Sequence, residues 1–277
     1  MNAHDIVRPM PVPAPSTDAR AVVTGASQNI GEALAAELAA RGHSLIITAR
    51  REDVLSALAD RLRERYGVTV EVRAVDLAEP AARDGLCEEL ATRNISILCA
   101  NAGTATFGTV ASLDPADERK QVALNVLGVH DLVLAVLPGM VARGAGGILI
   151  SGSAAGNSPI PNNATYAATK AFANTFSESL RGELKSTGVH VTVLAPGPVR
   201  TELPNPDEQS LVERLIPDFL WISTQYTAKV SLDGLDRNKM RVVPGVTSKA
   251  MSAASGYAPR SIVAPIVGAV YKKLGGS

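Results

Sequence analysis

The stretch Ala21-Val-Val-Thr-Gly-Ala-Ser-Gln-Asn-Ile-Gly31 decides the fold of this chain. It begins with a short apolar run at residues 21–24, typical of a buried strand, which stops at Gly25. From residue 30 to residue 40 the apolar positions recur at helical spacing, with Ala and Leu dominant. The stretch therefore predicts a strand, a glycine-containing turn and a helix in direct succession.

The rest of the chain repeats this alternation of strands and helices. Further apolar runs cover residues 44–49, 68–75, 95–100, 148–151 and 189–194, and helical patterns cover residues 53–66, 117–137 and 166–185. Residues 227–235 are typical of another helix, and residues 240–243 of a seventh strand. Such alternation predicts a parallel sheet with helices on both faces, whose strands are buried on both sides. With no internal repeat or linker visible, we predict a single doubly wound α/β domain.

The composition excludes several classes of protein. The chain has 277 residues, is 46% hydrophobic, and carries 27 Lys and Arg against 27 Asp and Glu. This balance gives no indication of a nucleic-acid surface. Cys87 and Cys99 lie in apolar surroundings without a CxxC spacing, so we expect free thiols. The four histidines are scattered, and we expect no metal site.

The two ends of the chain suggest additions to this domain. Residues 1–18 contain several prolines and lack the apolar core of a signal peptide, so we expect an extended or disordered arm before a domain at residues 19–277. Residues 262–271 are apolar but far short of the ~20 that a membrane span needs. We expect a cytoplasmic, soluble protein without a membrane span.

Cofactor recognition is predicted at the carboxyl ends of the first strands. A helix N-terminus after a glycine turn offers free N–H groups to a pyrophosphate. After the second strand, a carboxylate would select NAD; this chain has Ala49, Arg50 and Arg51 instead. A guanidinium can bind a 2′-phosphate, so we expect NADP(H) to be preferred, mainly through Arg50, with NAD(H) possible. Arg51 can also be read simply as a solvated residue at the start of the next helix. Asp76 either accepts a hydrogen bond from adenine or caps the helix that follows.

The chemical centre is predicted at Tyr166-Ala-Ala-Thr-Lys170. Side chains at i and i+4 project from the same face of a helix. A phenol has a pKa of about 10, and a nearby ammonium favours the phenolate, which brings proton transfer toward the working pH range. The pattern alone is usually an ordinary helix surface, and its meaning depends on the motifs around it.

Those motifs resemble the short-chain dehydrogenase/reductase family over residues 20–245. The matching pieces are Thr24-Gly-Ala-Ser-Gln-Asn-Ile-Gly31, Asn101-Ala-Gly103, Asn125, Ser151-Gly-Ser153, Tyr166-x-x-x-Lys170 and Pro196-Gly-Pro-Val-Arg-Thr201. The resemblance implies a Rossmann-type fold and a catalytic tetrad of Asn125, Ser153, Tyr166 and Lys170. It implies cofactor contacts at Gly25, Ser27, Gln28, Asn29, Ile30, Gly31, Arg50, Arg51, Asp76, Leu77, Asn101, Ala102, Gly103, Tyr166, Lys170, Pro196, Gly197, Val199 and Thr201.

The resemblance also implies a role for each catalytic residue. Tyr166 is expected to protonate the carbonyl oxygen as hydride arrives, and Ser153 to hydrogen-bond the same oxygen. Ser153 is preferred to Ser151 because it stands at the family's usual separation from the tyrosine. Lys170 is expected to favour the phenolate and to hold the nicotinamide ribose, and Asn125 to anchor a proton-relay water. Asn29 departs from the family's usual glycine; asparagine tolerates left-handed backbone angles best among other residues.

The substrate side is less constrained by the sequence. Residues 202–230 are expected to form a lid, and residues 246–277 a helical tail like those of 3-ketoacyl and hydroxysteroid reductases. Apolar residues at 211–222 indicate an apolar carbonyl or alcohol substrate, or simply packing on the sheet. Phe107, Pro159 and Ile160 are further pocket candidates. The direction of reaction is left open.

Two hypotheses of function follow from these residues. The first is an NADP(H)-dependent oxidoreductase that transfers hydride to or from a bulky apolar substrate. The alternative is a nucleotide-binding regulator that keeps the fold without turnover. For either, the family habit implies a homodimer or homotetramer through the helices at residues 117–137 and 166–185.

Overall fold

The computed structural model of the chain describes residues 12–200, residues 221–245 and Lys249. Within these residues seven parallel strands form one sheet in the order β3-β2-β1-β4-β5-β6-β7. The strands are β1 (Arg20–Thr24), β2 (Leu45–Ala49), β3 (Val70–Ala74), β4 (Ile95–Ala100), β5 (Gly146–Ser151), β6 (Val189–Leu194) and β7 (Arg241–Val242). The order reverses between β1 and β4, and in such sheets ligands bind at this switch point, beyond the carboxyl ends of the strands.

Helices connect the strands and cover both faces of the sheet. They are α1 (Asn29–Ala40), α2 (Glu52–Tyr66), α3 (Pro80–Ala91), α4 (Pro115–Val122), α5 (Gly128–Arg143), α6 (Ala164–Glu183) and α7 (Thr224–Asp236). A π-helical turn at Ala123–Leu127 joins α4 to α5, and a 3₁₀ turn at Ala154–Asn157 follows β5. The predicted doubly wound, seven-stranded parallel sheet is confirmed.

Alternate residues of each strand build the two halves of the core. In β1, Ala21 and Val23 pack with α1, α2 and α7 on one face, whereas Val22 packs with α3, α5 and α6 on the other. All three side chains are fully buried. This is why the strands read as continuous apolar runs: successive side chains point to opposite faces, and both faces are covered.

Several boundaries differ from the sequence expectations. A helix was expected after Asp76, but the range of α3 was not predicted, because Pro80 and Gly85 interrupt a weak apolar pattern. Helix α7 begins at Thr224, capped by the hydroxyl of Ser223, which accepts from Tyr226 N at 3.1 Å. The helical segment expected at residues 117–137 extends from Pro115 to Arg143 and passes through the π-helical turn. The seventh strand lies where it was predicted.

The segment Pro115–Arg143 is the one helical stretch among the described residues that is long and apolar enough to span a membrane, judged by length and composition. Helices in the core of soluble proteins meet the same criterion. In the segment Pro115–Arg143, the inward side chains of Val129, Leu132 and Met140 are buried against the sheet. The expected absence of a membrane span stays a prediction.

Some expectations fall on parts of the chain outside the described residues. These are residues 1–11 of the expected arm, Thr201 and residues 202–220 of the expected lid, and the tail at residues 246–277 apart from Lys249. At the described end of the arm, Val12 is buried and belongs to the core cluster around α7. The domain boundaries stay a prediction.

Candidate active site at the carboxyl edge of the sheet

The glycine turn after β1 is fixed by close contacts within the protein. Gly25 has a φ of +67°, and a Cβ atom there would lie 2.9 Å from Ala102 Cα. A Cβ atom on Gly31 would lie 2.0 Å from the carbonyl oxygen of Gly25. Helix α1 begins after Gln28, whose side chain does not cap it. The turn is therefore tight. Because Gln28 does not cap the helix, N–H donors of its first turn are available to an anion.

Asn29 occupies the turn in the conformation that a glycine would adopt. Its φ is +54°, in the left-handed region, as the sequence led us to expect. Its side-chain Oδ1 is buried and accepts no hydrogen bond within the described part of the chain. The asparagine thus preserves the turn but leaves an acceptor atom without a partner.

A hydrogen-bond network joins the ends of β1, β4 and β5. Thr24 Oγ1 accepts from the backbone N–H groups of Asn101 and Ala102, each at 2.9 Å. Asn101 Nδ2 donates to the carbonyl oxygen of Thr24 at 3.1 Å, and Ser151 Oγ donates to Asn101 Oδ1 at 2.9 Å. The Asn-Ala-Gly motif is therefore held by the two neighbouring strands. The sequence analysis identified the motif but not the part played by Thr24 and Ser151.

The polar residues after β2 and β3 lie on the side of β1 opposite to β4. Arg50 and Arg51 are both exposed, and Arg51 Nη2 donates to Gln28 Oε1 at 2.8 Å and to Ser27 Oγ at 3.3 Å. Arg51, to which the sequence analysis gave less weight than Arg50, thus contacts the glycine turn directly. Leu77, two residues beyond Val75, is buried.

Asp76 is held by a local turn and an ion pair. Its Oδ1 accepts from Ala78 N at 3.1 Å, and its Oδ2 lies 3.2 Å from Lys120 Nζ. Burial alone would raise the pKa of Asp76, but the hydrogen bond from Ala78 and the charge of Lys120 hold that pKa below its usual value. The residue at the N-cap of α3 is Glu79, so the alternative in which Asp76 caps that helix was wrong.

Lys170 is the buried charged group of the site. Its side chain is in the interior, 7% exposed, and Nζ donates to the carbonyl oxygen of Ser151 at 2.8 Å. Nζ also lies 5.7 Å from the centre of the Tyr166 ring. Burial lowers the pKa of Lys170 to about 8. The predicted pairing of the two side chains on α6 is present at the carboxyl end of β5.

Asn125 lies in the π-helical turn, a geometry frequent at functional sites. Its Nδ2 donates to the carbonyl oxygen of Thr104 at 2.8 Å and to Thr169 Oγ1 at 3.1 Å, while its Oδ1 accepts from Thr104 N at 3.0 Å. Both amide hydrogens are used, so a water that binds this side chain would reach only the second lone pair of Oδ1. A Cβ atom on Gly103 would lie 3.3 Å from Asn125 Oδ1 and 3.5 Å from Lys170 Nζ, which brings these three residues together.

The two serines of the motif after β5 differ in what their hydroxyls do. Ser151 donates its hydroxyl hydrogen to Asn101 Oδ1. Ser153 Oγ accepts from Ala155 N at 3.1 Å, which leaves its hydrogen able to donate elsewhere. This difference favours Ser153 as the residue that hydrogen-bonds a substrate oxygen.

The remaining predicted residues surround the same edge. The carbonyl oxygen of Pro196 accepts from Ala154 N at 3.1 Å, beside Ser153, and Gly197 and Val199 continue that segment to a bridge with Ile222. Phe107 and Pro159 are exposed, whereas Ile160 is buried. Ile160 therefore packs in the interior in this conformation.

Three comparisons with known proteins agree on the family. A family model for short-chain dehydrogenases matches residues 19–211. Sulfoacetaldehyde reductase 2 of Chromohalobacter salexigens is 38% identical over 65% of this chain and 73% of its own length. Very-long-chain 3-oxoacyl-CoA reductase of Bos taurus is 37% identical over 66% of this chain, which spans 60% of that enzyme. The chain belongs to the short-chain dehydrogenase family.

Solved structures extend the likeness over most of the chain. A short-chain dehydrogenase of Sphingobium yanoikuyae in complex with NADPH has a TM-score of 0.76 and 32% identity, and the match covers 85% of this chain and 92% of that one. A bulky-bulky ketone specific alcohol dehydrogenase of Comamonas testosteroni has a TM-score of 0.74 and 27% identity, with 89% and 97% covered. The protein is an oxidoreductase that uses a nicotinamide cofactor.

The donor groups at the sheet edge fit such a cofactor. An uncapped helix N-terminus suits a pyrophosphate, the guanidinium groups of Arg50 and Arg51 suit a further phosphate, and the Lys170 ammonium suits ribose hydroxyl oxygens. Two further residues support the site and were missed by the sequence analysis: Thr169, which binds Asn125, and Asn174, described below.

Proposed function

We propose that this protein is an NADP(H)-dependent carbonyl reductase or alcohol dehydrogenase that acts on an apolar substrate. One observation carries the proposal: the buried Lys170 ammonium lies 5.7 Å from the Tyr166 ring at the carboxyl edge of the sheet. The membership of an oxidoreductase family weakens the alternative of a regulator without turnover.

The chain's own residues would manage the proton and the developing charge. Tyr166 would donate its phenol proton to the substrate oxygen during reduction and take it back during oxidation. Ser153 would donate its hydroxyl hydrogen to the same oxygen and so stabilise negative charge on it. The Lys170 ammonium would stabilise the phenolate left behind. The nicotinamide supplies or accepts the hydride when bound.

The preference for NADP(H) is supported by charge at the adenosine end. Arg50 and Arg51 follow β2, where an NAD-selective site would carry a carboxylate. A 2′-phosphate near these side chains would meet two guanidinium groups in addition to the polar atoms of Ser27 and Gln28. The Sphingobium neighbour is in complex with NADPH, as is L-sorbose reductase of Gluconobacter frateurii.

The apolar character of the substrate is supported by the exposed Phe107 ring in the loop after β4. It is also supported by relatives whose names specify a very-long-chain acyl group or a bulky ketone. Sulfoacetaldehyde, the substrate in another relative's name, is small and polar. A panel that contains bulky ketones, 3-oxoacyl thioesters and sulfoacetaldehyde separates these substrate classes.

Titration of the purified protein with NADPH and NADH tests the cofactor proposal. We expect NADPH to bind at least ~10-fold more tightly, since a charged phosphate contact contributes about 1.5–3 kcal/mol. Arg50→Ala and Arg51→Ala should each weaken NADPH binding and leave NADH binding within about twofold. Equal affinities for the two cofactors in the wild-type protein would overturn the preference. Arg61→Ala, an exposed arginine on the far end of α2, is the control.

We further propose that the protein is cytoplasmic and forms a homodimer or homotetramer through α4–α5 and α6. Leu127, Leu134 and Val141 support the oligomer: they are exposed apolar residues seven positions apart, and so lie along one face of this helical segment.

A further inference from the structure

The side chain of Asn174 contacts the backbone of Ser153 at both polar groups. Asn174 lies on α6, eight residues after Tyr166, and is 3% exposed. Its Nδ2 donates to the carbonyl oxygen of Ser153 at 3.0 Å, and its Oδ1 accepts from Ser153 N at 3.4 Å. One amide therefore pairs with the two backbone groups that determine where the Ser153 side chain points.

The fit between this amide and the loop after β5 is tight. A Cβ atom on Gly152 would lie 2.0 Å from Asn174 Oδ1. Only a glycine lets the backbone approach the amide so closely. The glycine of the motif Ser151-Gly-Ser153 is thus required by a side chain of α6.

The contact is extended by a chain of polar groups. Asn174 Nδ2 also donates to Asn157 Oδ1 at 3.2 Å, and Arg241 Nη1 donates to the same oxygen at 2.9 Å. The Arg241 guanidinium in turn pairs with Glu178 at 2.8 Å. The loop that carries Ser153 is therefore held from both α6 and β7.

We propose that Asn174 is a positioning residue that fixes the Ser153 hydroxyl for the reaction. The proposal rests on the function proposed above, in which Ser153 hydrogen-bonds the substrate oxygen. The simpler reading, a buried amide that only completes the hydrogen bonding of the core, predicts an effect on stability but none specific to Ser153. Because catalytic groups tolerate little displacement, loss of the amide should lower the rate of the chemical step.

The test compares Asn174→Leu, which keeps the branched shape and removes the hydrogen bonds, with Ser177→Ala. Ser177 is buried one turn further along α6, and its hydroxyl donates to the carbonyl oxygen of Ala173. With NADPH and a bulky ketone, Asn174→Leu should lower kcat ~10-fold or more, while NADPH affinity and the kcat of Ser177→Ala stay within about twofold of wild type.

Combining Asn174→Leu with Ser153→Ala separates a positioning role of Asn174 from a purely structural role. In the Ser153→Ala background, Asn174→Leu should lower kcat less than about twofold, because the positioned hydroxyl is already gone. The same loss in both backgrounds would overturn the positioning role and leave the proposed function intact. Full turnover by Ser153→Ala alone would overturn the role of the serine itself, and the positioning role with it.

A second variant covers the case in which Asn174→Leu does not fold. Arg241→Met removes the outer end of the polar chain at a partly exposed side chain. It should lower kcat ~3-fold in the wild-type background and leave kcat unchanged in the Ser153→Ala background. Equal effects in both backgrounds would contradict the proposal.

Discussion

At the residue scale, the buried Lys170 ammonium serves the proposed reaction but destabilises the folded protein. Burial lowers the pKa of Lys170 to about 8, whereas a lysine in an unfolded chain has a pKa of about 10.4. Between these values the unfolded protein binds more protons than the folded one, so the free energy of unfolding rises with pH. Below the folded pKa both states are protonated, and the cost of burying the charge is fully present.

Lys170→Met should therefore stabilise the cofactor-free protein near neutral pH. The cost of the buried charge is about 3 kcal/mol, and the lost hydrogen bond to Ser151 offsets about 1 kcal/mol of that gain. Denaturant unfolding of both proteins from pH 7 to 10 measures the difference. We expect a gain of about 1–3 kcal/mol at pH 7 that shrinks through the window from pH 8 to 10. A difference that does not change with pH would contradict the assignment of the cost to the buried ammonium.

Single residues also show what a sequence can and cannot reveal. The left-handed φ of Asn29 could be predicted, because asparagine tolerates that region and stands where the motif has glycine. The contact between Asn174 and Ser153 could not be predicted, since its reason is the geometry of two elements 21 residues apart in the chain. Which arginine reaches the glycine turn likewise depends on where α2 begins.

At the scale of elements, helix α4 links the loop after β4 to the start of α6. The Glu118 carboxylate accepts hydrogen bonds from the hydroxyls of Thr106, in the loop after β4, and Thr165, directly before Tyr166. One turn further along, Gln121 Oε1 accepts from Thr106 N at 2.7 Å. Helix α4 thus fixes the loop that carries Phe107 relative to the start of α6.

Glu118→Ala should loosen that loop and weaken substrate binding. We expect the KM for a bulky ketone to rise by about 3- to 10-fold, because two hydrogen bonds to a charged, partly exposed group are lost. The affinity for NADPH should not change. Asp117→Ala, at an exposed neighbouring position, is the control. A KM that is unchanged in Glu118→Ala would show that the loop is held by other contacts.

The predictability of the elements follows the strength of their local patterns. The buried strands were predicted within a few residues, because both of their faces are apolar. The extent of helix α3 was not predicted because its apolar face carries only Leu86 and Leu90 among its buried hydrophobic residues. The π-helical turn at Asn125 was not predicted from the apolar spacing; within it, Asn125 contacts Thr104 and Thr169.

At the scale of the whole molecule, the sheet order explains why motifs far apart in the chain form one site. The strand order reverses between β1 and β4, so the glycine turn, the Asn-Ala-Gly motif and the serine motif follow three adjacent strands. The alternation of strands and helices predicted the class of fold. The motifs predicted that the site lies at the carboxyl edge of the sheet. The two-sided packing of the strands cannot by itself predict which surface binds another copy.

The proposed oligomer can be tested at its exposed apolar face. Leu134 is 55% exposed on α5, between Leu127 and Val141. Leu134→Lys should convert the dimer or tetramer to a lighter species, because a buried unpaired charge costs several kcal/mol. Light scattering after size exclusion measures the mass, with Ser56→Lys, at an exposed position of α2 outside the proposed interface, as the control. A monomeric wild-type protein would contradict the proposed oligomer. Protein that leaves membranes only with detergent would contradict the proposed cytoplasmic location.

The central claim is that Tyr166 transfers the proton while hydride passes between the nicotinamide and the substrate. Its most direct test is the rate of NADPH oxidation with a bulky ketone by the wild-type protein and by Tyr166→Phe, alongside NADPH affinity. We predict that turnover falls at least ~10²-fold in Tyr166→Phe while NADPH affinity stays within about twofold, since the ring is retained. Unchanged turnover in Tyr166→Phe would contradict the claim.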